Sequence, residues 1–299
     1  MKTKKILIFG VSGMLGHKLF FHLSENDNYD VYGTARRAYD LSRWFPVELL
    51  KKIQCDVDVD NFDTIEHVLA SRKPDIVINC IGLIKQLPLA DDPLSAINMN
   101  AQLPHRLASI CKTMDARLIH ISTDCVFNGA KGNYTEDDQS NATDIYGKTK
   151  YLGEVIHPHC ITLRTSIIGH ELRGKLGLIE WFLAQDKKVQ GYTNAIYSGL
   201  PTIELAHIID RFIIQSGELN GLYHVSSKPI SKYELLKLVA KKYNRSIEIE
   251  PYDNFRYDRS LNSSLFQSIT GYSSPSWIEL VDKMYQDFIT SNYYRYNAE

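Results

Sequence analysis

Hydrophobic positions in the first half of the chain follow two alternating patterns. Short, nearly unbroken apolar runs occur at "KILIFG" (5–10), "YDVYGTAR" (29–36), "DIVINCIG" (75–82), "ARLIHIST" (116–123) and "HCITLRTSIIG" (159–169). Between them lie stretches with helical spacing: residues 13–25, where Leu15, Leu19 and Leu23 share a stripe, then 60–74, 93–114 and 144–157. Apolar runs of strand length without polar alternation are covered on both faces, and strands alternating with helices build a parallel sheet. The pattern predicts an α/β fold with a doubly wound parallel sheet. After Gly169 the rhythm changes. "LGLIEWFLAQ", "IELAHIIDRFIIQ" and "SKYELLKLVAKKY" read as amphipathic helices, "GLYHVSS" and "SIEIEPYD" as short strands, and 276–291 as a last helix. This predicts a second, smaller α/β part. No Gly/Ser linker separates the two, so direct packing is expected. The closing "SNYYRYNAE" reads as a frayed surface tail.

Composition narrows the class. The 299 residues are 44% hydrophobic and 23% charged, with a net charge of −1, which suits a globular protein with a full core. A near-neutral chain has no broad field to draw nucleic acid or a membrane surface, and neither is expected as a partner. No apolar run has the length of a membrane span. "MKTKK" is basic, but the apolar stretch after it is short and broken by glycine, so no export signal is expected. Cys55, Cys80, Cys111, Cys125 and Cys160 are odd in number and scattered, which predicts reduced thiols, a cytoplasmic location and no metal site.

The candidate chemistry starts in "GVSGMLG". Gly10, Gly13 and Gly16 lie between a predicted strand and a predicted helix, with Ser12, Met14 and Leu15 among them. In that context glycine lets main chain approach a pyrophosphate, and the helix N-terminus offers it free N–H groups. The alternative is a purely structural turn. A dinucleotide site also needs a ribose contact about 20 residues further on, an acid for NAD or an arginine for NADP. The second strand ends in Arg36 and Arg37 with no acid at the tip, which favours NADPH and leaves NADH as an option. Asp56 and Val57 sit where the adenine edge could be contacted, the alternative being an acidic loop. The fourth strand ends at Thr123 and Asp124, followed by Tyr146 and Lys150 on one helical face. A phenol titrates near ~10, and a lysine one turn away would bring it into range as an acid–base group. Tyr233 and Lys237 repeat the spacing but read as part of a surface helix.

The order of these parts resembles the extended short-chain dehydrogenase/reductase family, and most of all its dTDP-4-dehydrorhamnose reductase branch, over nearly the whole chain. The carrying motifs are "GMLGHKL", "NCIG" (79–82), "INMNAQLPHRLA" (97–108), "ISTDCVFNGAKGNYTEDD", "DIYGKTKYLGE", "LRTSIIG", "SGLPTIELA" (198–206) and "GLYHVSSKPISKYELL". The resemblance implies an α/β Rossmann fold, with an NADP-binding Rossmann domain over residues 1–165 to which later segments return, and a smaller C-terminal α/β substrate domain made mainly of 166–299. It also implies a nicotinamide cofactor and a nucleotide-activated 4-keto-6-deoxy sugar as substrate. It gives Thr123, Tyr146 and Lys150 the catalytic roles, with Tyr146 and Lys150 also touching the cofactor. It places Cys80, Ile81 and Gly82 along the cofactor cleft with Asn98 in support. Asp124, Lys175 and Arg259 are candidate substrate contacts, the last two for the diphosphate. A homodimer is an option that the sequence leaves open.

The chain departs from the rhamnose enzymes after the S-T-D triplet, where they carry tyrosine and this chain has Cys125. "HELRGKLGLIEWF" is longer and more basic than expected, and "DRSLNSSLF" (258–266) matches only in part. Cys125 aligns instead with the cysteine of GDP-fucose synthase-like enzymes, which epimerise beside the ketone before reducing it. That role needs a partner, for which His170, Arg173 and Lys175 are the candidates; the other reading of Cys125 is a small packing residue. Two further functions follow as alternatives. One is a bifunctional 3-epimerase/4-reductase on a UDP-linked, N-acetylated sugar. The other is a cofactor-binding regulatory subunit, as one relative of the family provides for methionine adenosyltransferase.

Overall fold

Lys4–Phe9 (β1) is apolar and buried from Ile6 onward, and is an interior strand of the main sheet. The computed structural model describes residues 3–83, 92–217, 219–291 and 293–294. Around β1 lie Tyr29–Thr34 (β2), Ile53–Gln54 (β3), Ile76–Asn79 (β4), Arg117–Thr123 (β5) and Cys160–Thr165 (β6). The seventh strand of the sheet is Gly221–His224, and the order is Gly221–His224, β6, β5, β4, β1, β2, β3. Every pairing in it is parallel. The chain leaves β1 to one side for β2 and β3 and to the other for β4 to β6, so the sheet is doubly wound, as expected. Its switch point lies between β1 and β4, where ligands bind at the carboxyl ends of such strands. Apolar layers cover both faces, one containing Ile6, Ile8 and Ile119, the other Leu7, Phe9 and Leu118.

The first β–α turn explains its glycines separately. Gly10 has φ +88°, in the left-handed region that side chains avoid. A Cβ on Gly16 would land on the Gly10 carbonyl oxygen, far inside van der Waals distance. A Cβ on Gly13 would meet the same oxygen at 3.4 Å, which the turn can nearly absorb. Gly10 and Gly16 are therefore required by the turn itself.

Several expected elements are shorter or broken. The helix expected over 93–114 runs through Pro93–Ala96, a π-helical turn at Ile97–Gln102 and Leu103–Thr113. The helix expected over 144–157 covers Ile145–Leu152 and ends at Gly153, because Gly153 packs against the Asn100 carbonyl. "HCITLRTSIIG" is not one strand. Ile167–Ile168 leaves the main sheet and pairs with Leu200–Pro201. Apolar runs show where strands are but not which neighbour each half meets.

The C-terminal half contributes two further small sheets. Lys188–Tyr192 pairs with Glu248–Tyr252, and Ala195–Tyr197 pairs with both Ile230–Ser231 and Tyr257–Asp258. It also packs back on the first half. Helix Thr202–Ile208 lies against helix Met14–Ser24 (α1), and Arg117 donates to the carbonyls of Ile213 and Leu219.

The predicted frayed tail is corrected at its start. Tyr294 is buried and its hydroxyl pairs with His17 Nε2 at 2.9 Å. Tyr293 stacks on Phe21, and its hydroxyl accepts from Lys18. Two aromatic rings and a buried ammonium in need of partners hold this segment down. The rest of the tail lies outside the described residues.

Gly16→Ala should cost about 1–3 kcal/mol of unfolding free energy, because the added methyl forces apart a turn already in contact. Gly13→Ala should cost well under half of that. Urea melts of the two variants check the difference, and equal costs would contradict this account of the turn.

Candidate active site

At the carboxyl ends of the strands the glycine turn faces the segment after β4. Gly13 caps α1 with extended backbone, no side chain caps the helix, and its first turn carries no acid. The N–H groups and positive dipole end there suit an anion. Ser12 and Met14 are half-buried at this turn, whereas Leu15 points into the core. Ile81 packs against Gly10, and a Cβ on Gly82 would lie 3.8 Å from Lys150 Nζ and 3.4 Å from Asn100 Oδ1. Burial pushes the neighbouring Cys80 thiol up to about 12. Arg36 and Arg37 are exposed just beyond the end of β2. Asp56 is exposed with φ +59°. The Val57 side chain is in the core and its N–H bonds the Ala35 carbonyl, so only its main chain is turned to the strand ends.

The expectation for Asn98 needs correction. Its side chain donates to Asp60 at 2.8 Å, near the surface. The inward residue is Asn100, whose Oδ1 accepts from the Leu83 N–H at 3.0 Å and whose Nδ2 reaches Thr149 Oγ1 at 3.4 Å. The π-helical turn shifts the register by a fraction of a turn. The resemblance that named Asn98 says nothing of which side chain of this segment faces inward.

The reacting groups gather at the end of β5. Thr123 Oγ1 donates to Asp124 Oδ1 at 3.1 Å and accepts from the Cys125 N–H at 3.1 Å. Asp144 caps the next helix by accepting from the Gly147 N–H at 2.7 Å. Gly147 lets that helix sit directly on the Cys125 carbonyl, which brings Tyr146 to Thr123 and Cys125. Burial raises the Tyr146 phenol, with the charges of Cys125, Asp124 and Asp144 adding to it and the Thr123 hydroxyl opposing. Lys150 is 5% exposed and donates to the Ile121 carbonyl at 2.7 Å. Burial lowers it to about 8, against the charges of Glu154 and Cys80. The expected lowering of Tyr146 by Lys150 is thus not what these neighbours produce. Tyr146 is held protonated, the state in which it can give a proton.

Glu154, one turn beyond Lys150, anchors a buried network that sequence reasoning missed. It accepts from Ser122 Oγ at 2.7 Å and from Arg164 Nε and Nη2 at 2.8 and 2.7 Å. Arg164 Nη1 also meets His224 Nε2 at 3.2 Å. Burial lowers His224 to about 3, so it is neutral. With Nε2 accepting, Nδ1 carries the proton and donates to the Tyr134 carbonyl at 3.0 Å. The available signal was the "GE" pair after the lysine together with a charged Arg164 inside an apolar strand.

The C-terminal half brings Arg259 and Lys232 to the same place. Arg259 Nη1 donates to Cys125 Sγ at 2.8 Å, and its guanidinium lies 4.2 Å from the Tyr257 ring centroid. Burial raises Asp124, with Arg259, the Cys125 and Thr123 hydrogen bonds and Lys232 opposing. Burial, followed by the Asp124 charge, pushes the Cys125 thiol up to about 12. His170 is not its partner. Its Nδ1 pairs with Glu180 at 2.6 Å, its Nε2 with the Tyr243 hydroxyl at 2.8 Å, and its ring stacks on Phe288. Arg173 is exposed with its guanidinium 5.9 Å from the Trp44 ring, and Lys175 is exposed in the loop before Leu178. Lys175 is not among the groups acting on Asp124, Cys125 or Tyr146. The repeat of the catalytic spacing is a surface face, where Lys237 lies over the Tyr233 ring and pairs with Glu234. Among the described residues no cluster suits a metal ion, and no helix is long and apolar enough to cross a membrane.

Known proteins resemble the chain in sequence and in fold. The chain is 28% identical over 241 residues to a dTDP-4-dehydrorhamnose reductase of Aggregatibacter actinomycetemcomitans, covering 77% of this chain and 76% of the relative. It is 25% identical over 264 residues to methionine adenosyltransferase 2 subunit beta of Danio rerio, covering 81% and 74%. The fold superposes with a TM-score of 0.78 on a crystal structure of dTDP-4-dehydrorhamnose reductase from Bacillus anthracis in complex with NADP, at 23% identity and covering 96% and 100% of the two chains. A family model described as RmlD substrate binding domain matches residues 4–289. A match of that extent, on a doubly wound sheet with Thr123, Tyr146 and Lys150 at the end of β5, places the chain in the RmlD substrate-binding domain family.

Proposed function

We propose that this protein is an NADPH-dependent reductase of the 4-keto group of a nucleoside-diphosphate 4-keto-6-deoxyhexose. The observation that carries this is the convergence of Thr123, protonated Tyr146 and buried Lys150 beside the glycine turn. The relative from Aggregatibacter actinomycetemcomitans bears the name of such a reductase, and the Bacillus anthracis structure contains NADP. In this reading residues 1–165 hold the cofactor and 166–299 mainly the substrate.

The groups present suit the cofactor. The uncapped start of α1 takes the pyrophosphate, Arg36 and Arg37 the 2′-phosphate, and the surface beside Gly82 and Lys150 the nicotinamide end. When bound, the reduced nicotinamide supplies a hydride to C4 of the sugar. Tyr146 gives the proton to the carbonyl oxygen, so ketone becomes alcohol. Thr123 directs its hydroxyl to the same oxygen and fixes the approach. Lys150, held by the Ile121 carbonyl and favoured as the cation by Glu154, steadies the phenolate formed once Tyr146 has given up its proton. Burial supplies the dry surroundings in which these contacts are strongest.

The regulatory reading draws on the resemblance to the Danio rerio subunit. Consumption of NADPH with a panel of dTDP-, UDP- and GDP-linked 4-keto-6-deoxy sugars, with products identified by NMR, separates the two. Failure to reduce any of them sinks the reductase reading.

Tyr146→Phe should keep the fold and NADPH binding but slow reduction by about 10²-fold or more, the usual scale for lost acid catalysis. Tyr233→Phe should change almost nothing, and like behaviour of the two variants would disprove the role of Tyr146. Arg36→Ala with Arg37→Ala should weaken NADPH roughly ten- to a hundredfold and leave NADH nearly unchanged, as measured by fluorescence titration. Equal loss for both cofactors would rule out a 2′-phosphate contact. Lys150 titrates near 8 and acts as the cation, so the rate should fall as pH rises through that value. A pH–rate profile that stays flat to pH 9.5 would contradict this role.

A further inference from the structure

Lys232 is the first residue of helix Lys232–Lys242, which Ser231 caps by accepting from the Glu234 N–H. A cation is unfavourable there, because the helix dipole is positive at that end. Its side chain is half-buried, and no hydrogen bond or ion pair to it occurs among the described residues. The charges that act on it are those of Asp124, Cys125 and Arg259, so it faces the reacting end of β5 rather than the surface stripe of its own helix. Asp124 and Cys125 favour its charged form, while burial and Arg259 oppose it. Arg259, 7% exposed, has the same unfilled capacity. Its Nη1 is committed to Cys125 Sγ, but its Nε is buried without a hydrogen-bond partner among the described residues. Partly buried cationic donors without acceptors cost folding free energy, and such costs concentrate where a ligand supplies what is missing.

Both cations directly follow strands of the small sheet of Ala195–Tyr197, Ile230–Ser231 and Tyr257–Asp258, and from there Arg259 reaches Cys125 Sγ beside Asp124. Asp124 and Cys125 directly follow Thr123, whose hydroxyl is assigned to the ketone. Donors that neighbour Asp124 and Cys125 are placed for substituents of the sugar ring beside the ketone.

We propose that Lys232, together with Arg259 Nε, is a substrate contact that reads an oxygen substituent on the sugar carbon beside the ketone, and that Lys232 is a specificity-determining residue of this enzyme. The proposal rests on the reductase reading given above. Asp124 sets the geometry: it keeps the two cations from repelling each other and leaves their remaining donors for hydroxyl or acylamino oxygens. A sugar lacking oxygen at that carbon leaves the donors unfilled and binds poorly.

The test compares the full-length protein with Lys232→Met and Lys232→Arg, using NADPH and whichever 4-keto-6-deoxy sugar nucleotide of the panel the unaltered protein reduces. Lys232→Met should raise KM by about tenfold or more, as expected for loss of a charged hydrogen bond, with kcat within about threefold. Its affinity for NADPH should not change. Its Tm should equal or exceed that of the unaltered protein, because a partly buried, unpaired charge has been removed. Lys232→Arg should recover most of the KM. An unchanged KM in Lys232→Met overturns the proposal, and so does a lowered Tm, which would make the lysine a structural residue. If the unaltered protein reduces no sugar of the panel, the functional reading itself fails and takes this inference with it. Reduction that is normal in both variants defeats the inference alone.

Discussion

The site depends on keeping one ammonium group, Lys150, inside the protein at the carboxyl end of β5. Burial disfavours its charge, and few groups offset that cost: the Ile121 carbonyl at 2.7 Å and the negative charge of Glu154. Glu154 is itself buried and stays in place because Ser122 and Arg164 fill its oxygens. Arg164 in turn meets neutral His224, whose main-chain N–H is held by Glu136. Strands β5, β6 and Gly221–His224 are thus joined at their functional ends by a polar chain as well as by the sheet. A network of this kind stabilises only if every member is satisfied, so a change in one link is felt at the lysine.

A second set of contacts ties the cofactor end to the C-terminus. Lys18 of α1 is buried, pairs with Asp287 at 2.5 Å and lies 4.9 and 5.4 Å from the Tyr293 and Tyr294 ring centroids. His17 Nδ1 meets the carbonyl of Gly13 at 2.8 Å, and its Nε2 meets Tyr294. Burial lowers His17 to about 3, so it acts as a neutral link. His170 completes the cluster beside Tyr294 and Phe288. The histidine that the sequence offered as a partner for Cys125 therefore helps to seat the glycine-turn helix against the last helix. This leaves Cys125 beside Arg259 and Asp124; burial and the Asp124 charge keep the thiol protonated against the pull of Arg259, and nothing there supports a His170-assisted epimerisation.

How much could be read from the chain depends on how local each cause is. The sheet was legible because unbroken apolar runs such as "DIVINC" have one stable use, a strand covered on both faces. The glycine turn was legible because Gly10 and Gly16 answer to a backbone angle and a backbone contact within seven residues of each other. Tyr146 and Lys150 were legible because helical spacing puts them on one face. Asn98 was placed by resemblance alone, and only the folded chain shows that its side chain turns out to Asp60 while Asn100 turns inward.

The sequence by itself determined the doubly wound sheet and the glycine turn after β1, and pointed to Thr123, Tyr146 and Lys150 as a candidate set, because strand patterning, turn sterics and helical spacing are short-range. Only the tertiary structure decided which distant charges surround that set. Lys232 looked like one more polar residue of an amphipathic helix, and Arg259 like a diphosphate contact, until the small C-terminal sheet brought both to Asp124 and Cys125. Burial is a property of the assembled molecule. It keeps Tyr146 protonated, moves Lys150 to about 8 and takes His170 away from the thiol it was expected to serve.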